Sequence, residues 1–176
     1  ILGADGSEMP EGQPGEITVS GPQTSYAYLE PDGRVELLPA AGHRTGDLGI
    51  RGAGGHITVV GRLKDLIIRG GVNISPVEIE SVLFAHPKVS NAAIVGMPDV
   101  RLGERICAFI IPVAEASLDL AEVQDWMSKS GLAKQKWPEQ IEMVDFFPMT
   151  PSGKVQKFKL RELLAREAND DAANHL

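Results

Sequence analysis

Two shortages in the sequence, of cysteine and of positive charge, argue against several classes of protein. Cys107 is the single cysteine among 176 residues, so no internal disulfide can form and a reducing compartment, the cytoplasm, is expected. Because Cys107 lies in the apolar run ICAFII, it is predicted to be a small core residue and not a nucleophile. The formal net charge of −7 argues against a general nucleic-acid binder, since such proteins need a basic surface.

Long apolar runs are also missing from the sequence. No stretch approaches the about 18 apolar residues of a membrane-spanning helix, so membrane insertion is not expected. The opening residues, ILGADGSEMPEG, lack the basic segment and apolar core of a secretion signal. An initiating Met is absent as well, and the sequence is therefore predicted to be a piece of a longer protein.

Residues 1–60 contain short β-prone runs separated by turn-forming residues. The runs are 16–20, 26–29, 34–38 and 56–60. They predict part of a small antiparallel barrel or meander. Because a few short strands with little helical cover bury too little surface to be stable alone, this part is expected to belong to a larger domain.

Beyond this region the pattern changes to alternating helices and strands. A helix is predicted to begin at Pro76, with Ser75 as its N-cap and Glu78 completing a capping box, and to end before His86. A second helix is predicted after the N-cap Asp119, and a third carries three leucines: Leu160, Leu163 and Leu164. The polar tail from residue 167 onward is expected to fray.

Three strands are predicted between these helices, at 89–95, 106–113 and 140–145. The second is almost wholly apolar, which predicts a central position in a sheet. The fold class is therefore α+β, in two parts. Residues 1–63 are interpreted as the β-rich tail of a large N-terminal domain, and residues 64–176 as a compact C-terminal domain.

Three motifs combine glycine with charged residues: RTGD at 44–47, GRLKDLIIRGGVNISPVEIE at 61–80 and PMTPSGKVQK at 148–157. Glycine lets a main chain approach phosphates and expose its N–H groups to them. Each motif alone also has a plain structural interpretation, as a solvated loop, a turn or an exposed cation. A Walker-type phosphate loop is rejected, because the SGK lysine is followed by Val155 and not by Ser or Thr.

The order of the motifs, with HPKV, AAIVGMPD and a downstream GE between them, resembles the adenylate-forming superfamily, and more narrowly the AMP-forming acyl-CoA or aryl-CoA synthetases. The resemblance spans about residues 10–165 and covers the C-terminal part of such an enzyme. It implies a two-step ligase. A carboxylic acid and ATP give acyl-adenylate and pyrophosphate, and CoA then displaces AMP while a small C-terminal domain rotates between the steps.

Four charged residues match functional positions of that family. The resemblance implies that Asp47 binds the ribose of ATP or AMP and that Arg62 supports nucleotide and interdomain contacts. Lys64 matches the hinge position, where a residue must absorb a change in backbone angles. Lys154 matches the catalytic lysine of the adenylation step, which neutralises negative charge as carboxylate and α-phosphate approach each other.

The implied CoA-binding residues are Gly70, Gly71 and Asn73, in the loop that lines the pantetheine tunnel of the family. A basic set, Lys154, Lys157, Lys159 and Arg161, lies near the third helix. For all of these except Lys154 a solvated helix face is favoured over contacts with CoA phosphates. His43 and the SYAY segment at 25–28 depart from the family pattern, which makes the geometry of the N-terminal strands the least predictable part.

The resemblance also implies substrates and partners. These are ATP with Mg²⁺, the metal held mainly by the missing N-terminal part, a small carboxylic acid and CoA. The phosphate-gripping loop and the acyl pocket of the family are outside these residues, so the chain alone is expected to be inactive. One alternative is an adenylation domain that loads a carrier protein, although the GGVNISP segment favours CoA; another is a binding module without catalysis.

Overall fold

The computed structural model describes residues 1–38, 42–114 and 116–173, with side chains described up to residue 166. The chain divides into two compact units, Ile1–Lys64 (unit 1) and Asp65–Leu176 (unit 2). This division lies one residue after the boundary between 63 and 64 that the sequence predicted. Whether the units act as the tail of a large domain and a mobile C-terminal domain stays a prediction.

Unit 1 consists of short antiparallel strands. They are β1 (Pro14–Val19), β2 (Ala27–Leu29), β3 (Val35–Leu37), β4 (His43–Arg51) and β5 (Ile57–Arg62). One sheet has the order β1-β4-β5, and β2 pairs with β3 as a separate hairpin. The sequence predicted four of these strands but not β4. TGD lies within β4, at the irregularity in the β1–β4 register, so the alternative interpretation of TGD as a solvated loop is wrong.

Five strands of unit 2 form one sheet. They are β6 (Ile67–Arg69), β7 (Val72–Ile74), β8 (Val89–Asp99), β9 (Gly103–Pro112) and β10 (Gln140–Met143). β9 pairs antiparallel with β8, parallel with β10 and antiparallel with β6 at a single position, so its predicted central place is confirmed. The predicted strand at 89–95 is longer in the structure, and β6 and β7 were not predicted.

Three helices accompany this sheet: α1 (Pro76–Phe84), α2 (Leu120–Lys129) and α3 (Lys157–Ala173). The predicted cap of α2 is confirmed, because Asp119 Oδ1 accepts a hydrogen bond from Glu122 N at 2.8 Å. The predicted capping box of α1 is wrong: Ser75 is the N-cap residue but makes no side-chain capping bond. Glu78 instead binds Lys136 Nζ at 2.7 Å through both carboxylate oxygens.

The tail that was predicted to fray is helical as far as the structure describes its backbone. The backbone of α3 remains helical to Ala173, six residues beyond the predicted start of fraying at 167. Residues 174–176 lie outside the described part of the chain. None of the helices formed by the described residues is both long and apolar enough to cross a membrane.

Alternation along β8 and β9 builds two apolar clusters in unit 2, one on each face of the sheet. On one face, Ile94 and Ile106 pack with residues of α1 and α2 such as Ile79 and Val123. The cluster on the other face contains these buried residues: Ala93, Val95, Cys107, Phe109, Phe147, Leu160 and Leu164. Cys107 is fully buried there, as predicted for a core residue. α3 is thus fixed to the sheet through two of its leucines.

Candidate functional site

Two predicted nucleotide-binding residues lie opposite each other on neighbouring strands of unit 1. Asp47 of β4 is the register partner of Arg62 of β5. Arg62 Nε donates a hydrogen bond to Asp47 Oδ1 at 2.5 Å, and the side chains are 44% and 34% exposed, respectively. The structure therefore joins Asp47 and Arg62 in one ion pair that a ligand can reach from solvent.

The backbone around Asp47 is held by a buried carboxylate that the sequence analysis did not single out. Glu16 of β1 is 7% exposed. Its two oxygens accept hydrogen bonds from Arg44 Nε at 2.5 Å and from Gly46 N at 3.0 Å. Thr45 Oγ1 donates to a backbone carbonyl of β1 at 2.9 Å and accepts from Asp47 N at 3.1 Å. These bonds fix the direction in which Asp47 leaves the sheet.

Lys154 lies at the end of a tight turn in unit 2. Gly153 N donates to Thr150 O at 2.9 Å, and Thr150 N donates to Lys154 O at 2.8 Å. The Thr150 hydroxyl accepts from Lys154 N at 3.0 Å, which adds a side-chain bond across the same turn. Gly153 has φ +79°, a conformation that favours glycine. The lysine side chain thus projects, exposed, from a backbone that is fixed by hydrogen bonds.

Two cationic side chains that follow Lys154 in sequence already take part in ion pairs. Lys157 Nζ lies 2.7 Å from Glu80 Oε1, and Arg161 Nη2 lies 3.0 Å from Asp65 Oδ1. The Lys157 and Arg161 side chains are only 16% and 34% exposed, so the predicted solvated face is wrong for both. Lys154, by contrast, takes part in none of the ion pairs found within residues 1–38, 42–114 and 116–166.

The candidate CoA-binding glycines form the turn of a short hairpin. Gly70 and Gly71 connect β6 to β7 with φ values of +57° and +80°. Two consecutive positive φ angles are typical of a two-residue hairpin turn, which selects glycine for backbone reasons alone. Both glycines and Asn73 of β7 are exposed. Because a Cβ on Gly71 would have no heavy atom within 4 Å, the constraint there is conformational and not one of space.

The β6–β7 hairpin is held in place by contacts from the β8–β9 connection and from Glu139, which directly precedes β10. Gly70 N donates to Leu102 O at 2.7 Å, and Leu102 N donates to Asp99 Oδ1 at 2.8 Å. That backbone bond from Leu102 is the main reason why the pKa of Asp99 is below its ordinary value. Arg69, just before the turn, binds Glu139 Oε1 through Nη2 at 2.6 Å. These hydrogen bonds therefore support the backbone of the Gly70–Gly71 turn.

The candidate hinge residue, Lys64, lies in the middle of a single 3₁₀ turn, Leu63–Asp65. It is exposed, and the division between units 1 and 2 falls directly after it. A short 3₁₀ turn is a common connector, and its hydrogen bonds are weaker than those of an α-helix. The position is thus compatible with a change of backbone angles, while its role as a hinge stays a prediction.

No group of three or more His, Cys, Asp or Glu residues that could hold a metal ion occurs in the part of the chain that the structure describes. No chemical step is therefore assigned to a metal bound by the described residues.

Comparison with known proteins found a matching family model and individual relatives. The family model described as "AMP-binding enzyme C-terminal domain" matches residues 78–154. Pyochelin synthase PchD of Pseudomonas aeruginosa is 44% identical over 95% of this chain. Residues 78–154 therefore belong to the family of AMP-binding enzyme C-terminal domains. The medium-chain fatty-acid–CoA ligase of Escherichia coli is 40% identical over 96% of the chain.

Solved structures of the AMP-binding family have the same fold. The amide bond synthetase McbA from Marinactinospora thermotolerans matches with a TM-score of 0.82 and 34% identity, covering 93% of this chain and 34% of that one. The chain also spans only 31% of the pyochelin synthase and 30% of the fatty-acid–CoA ligase. The names of these relatives differ in the product they make, so similarity alone does not identify the product of the full-length protein.

The residues that support the motifs could not be predicted from sequence patterns. Glu16 lies 28 residues before Arg44, and Asp65 lies 96 residues before Arg161. Contacts over such separations leave no periodic signal. A single Glu within a β-prone run was the one available hint for Glu16, because a charged residue in a strand requires a partner when it is buried.

Gly71→Ala is expected to destabilise the β6–β7 hairpin by about 1–2 kcal/mol, because an L-residue with a side chain is disfavoured at φ +80°. Amide exchange of β6 and β7, measured by mass spectrometry, should become faster by about 5–30-fold. Gly71→Asn is the matched control, since Asn tolerates this conformation better, and should have a smaller effect. Unchanged exchange in the alanine variant would contradict the turn assignment.

Proposed function

We propose that the full-length protein to which this chain belongs is an AMP-forming carboxylic acid–CoA ligase. In the first step a carboxylate oxygen attacks the α-phosphorus of ATP, the bond to the β-phosphate oxygen breaks, and pyrophosphate leaves. In the second step the sulfur of CoA attacks the acyl carbon, the bond to the AMP oxygen breaks, and the thiol proton goes to solvent. The substrates are thus a carboxylic acid, ATP and CoA.

The observation that carries this proposal is the state of Lys154. It is exposed at the end of a hydrogen-bonded turn and joins none of the ion pairs of the described residues, whereas Lys157 and Arg161 nearby are paired. An ammonium that is not committed to a carboxylate of its own unit can neutralise the charge that builds up on the carboxylate and the α-phosphate. Its flexible four-carbon stem suits a group that reaches a site from outside.

Asp47 and Arg62 are proposed to bind the nucleotide. A carboxylate has about four acceptor sites, so Asp47 can hold the Arg62 guanidinium and still accept hydrogen bonds from both ribose hydroxyls. The Glu16 contacts to Arg44 and Gly46 support this role, because they fix the strand that carries Asp47. Mg²⁺, as an accompanying ion of ATP, is assigned to residues outside this chain.

Unit 2 is proposed to act as a mobile lid that serves both steps. Lys154 lies on the turn before α3, while Gly70, Gly71 and Asn73 lie on the β6–β7 hairpin, and these are separate segments of the same unit. A rotation about Lys64 would offer one segment to the adenylation step and the other to pantetheine. The exposed glycine turn suits a narrow passage, because it brings backbone and no side chain against a thin chain.

A second candidate is an adenylation domain that transfers the acyl group to a carrier protein. The observation in its favour is the 44% identity to a pyochelin synthase. A binding module without catalysis is the third possibility, and it differs from both by having no acid-dependent consumption of ATP.

The acceptor is tested by supplying the purified full-length protein with ATP, Mg²⁺ and a panel of carboxylic acids. Parallel reactions contain either CoA or a carrier protein that bears phosphopantetheine, and mass spectrometry identifies the thioester. We expect acyl-CoA. Acylated carrier protein without acyl-CoA would replace the CoA ligase by the second candidate, and the absence of any acid-dependent product would favour the third.

A further inference from the structure

Arg161, in the first half of α3, forms an ion pair with Asp65, the first residue of unit 2. Its Nη2 lies 3.0 Å from Oδ1 of Asp65, 96 residues earlier in the chain. The Asp65 side chain is 18% exposed and that of Arg161 34%, so the pair is shielded from solvent more than a surface pair. Asp65 directly follows the candidate hinge residue, Lys64.

α3 is itself held firmly at this end. Leu160 and Leu164, which flank Arg161 in sequence, are 1% and 5% exposed within the cluster that includes Val95 and Phe109. Lys157, the first residue of α3, binds Glu80 at 2.7 Å.

Glu80 in turn extends this support to the sheet. Its Oε1 accepts a hydrogen bond from Ile94 N of β8 at 2.8 Å, in addition to the ion pair with Lys157. Since the side chains of Lys157 and Glu80 are only 16% and 13% exposed, this bond is poorly screened by solvent. The beginning of α3, three residues after Lys154, is therefore fixed to α1 and to the sheet.

We propose that Arg161 is a positioning residue that makes the segment immediately after Lys64 rigid with the helix that follows Lys154. With Asp65 bound to α3, a change of backbone angles at Lys64 moves the Lys154 turn as part of one body. Without that bond the change would spread over the residues after Lys64, and Lys154 would be placed less accurately. This inference rests on the proposed function for its consequence in catalysis, but the mechanical link can be measured without any activity.

Accurate placement matters because a displacement of about 1 Å of a reacting group can lower a rate by about 10²-fold. Loss of an ion pair elsewhere in unit 2 should not lower the adenylation rate in this way. Lys129 and Asp125 of α2 provide the comparison: their ion pair is 2.6 Å long, but the side chains are 70% and 61% exposed and far from Lys64 in sequence.

The test uses the full-length protein with Arg161→Gln, Asp65→Asn, the exchanged pair Asp65→Arg with Arg161→Asp, and Lys129→Gln as the control. Hydrogen exchange of residues 63–68 is measured by mass spectrometry. Both single variants should exchange about five- to tenfold faster there than the wild type, the exchanged pair should return towards it, and Lys129→Gln should match it. The adenylation rate of each variant is then measured over a range of ATP concentrations that extends to saturation.

We expect adenylation to slow by about tenfold in both single variants and to recover in the exchanged pair, with KM for ATP nearly unchanged, because positioning affects the chemical step. Exchange and adenylation that both equal those of the wild type would overturn the inference. Faster exchange with unaltered adenylation would overturn the positioning role. If the wild-type protein itself forms no adenylate, the proposed function fails, and unchanged exchange in the variants would then separately refute the link.

Discussion

Lys154→Ala in the full-length protein is expected to slow acyl-adenylate formation by about 10²–10³-fold, the range found when a group that stabilises transition-state charge is removed. Negative charge accumulates between the carboxylate and the α-phosphate only in this step. Thioester formation from supplied acyl-adenylate has no such need and should stay within about twofold of the wild-type rate. Single-turnover measurements of each half-reaction, with acyl-adenylate added directly for the second, separate the two effects.

Lys129→Ala is the matched control, because it removes an exposed ammonium from α2 of the same unit. It should leave both half-reactions at wild-type rates. Equal losses of both half-reactions in Lys154→Ala would show that Lys154 is structural. The structure argues against such a role, since the side chain is exposed and the turn is closed by backbone atoms and the Thr150 hydroxyl.

Lys64→Pro is expected to lower the rate of complete thioester synthesis by about 10²-fold, because proline fixes φ near −65° and prevents the change of backbone angles that the two orientations of unit 2 require. At least one half-reaction, measured alone, should stay near its wild-type rate, since a single orientation is sufficient for it. The measurement compares steady-state acyl-CoA synthesis with each half-reaction in single turnover.

Lys64→Ala is the control for the loss of the ammonium group. It removes the charge but leaves φ and ψ free, so the complete reaction should proceed at nearly the wild-type rate. Wild-type synthesis by the proline variant would refute the hinge at this position. Loss of both half-reactions in a folded Lys64→Pro protein would show instead that the residue serves the chemistry directly.

The parts of the fold that the sequence predicted are those governed by local signals. The cap of α2 at Asp119 follows from one side chain and the next turn of helix, and the central position of β9 follows from its apolar composition. β4 was missed because RTGDLG combines glycine with polar residues and lacks the alternation of a strand. Its pairing depends on β1 and β5 and on the buried Glu16.

Local signals also misled where a distant residue competed for the same group. Ser75 and Glu78 have the spacing of a capping box, yet the Glu78 carboxylate binds Lys136, 58 residues later. The ion pair with Lys136 thus uses the carboxylate that the capping box would have required. The same holds for two cations of α3. Lys157 and Arg161 were predicted to face solvent, but they form ion pairs with Glu80 and Asp65.

The candidate site could be predicted only as separate residues. Resemblance identified Asp47, Arg62, Lys64, Lys154 and the Gly70–Gly71 turn, and the structure adds the ion pair of Asp47 with Arg62 and the hydrogen bonds of the Lys154 turn. Nothing in the spacing of the sequence indicated the bond between Arg161 and Asp65. Such supporting contacts join segments that only the folded sheet brings together.

Identification of the nucleotide product is the sharpest test of whether the full-length protein is an AMP-forming ligase. ATP labelled in its α-phosphate, or in a parallel reaction in its γ-phosphate, is incubated with the protein, CoA and the best carboxylic acid of the panel, and the products are separated by chromatography. An AMP-forming ligase should give AMP and pyrophosphate in amounts equal to the thioester formed. ADP and inorganic phosphate, or cleavage of ATP that does not depend on the acid, would contradict it.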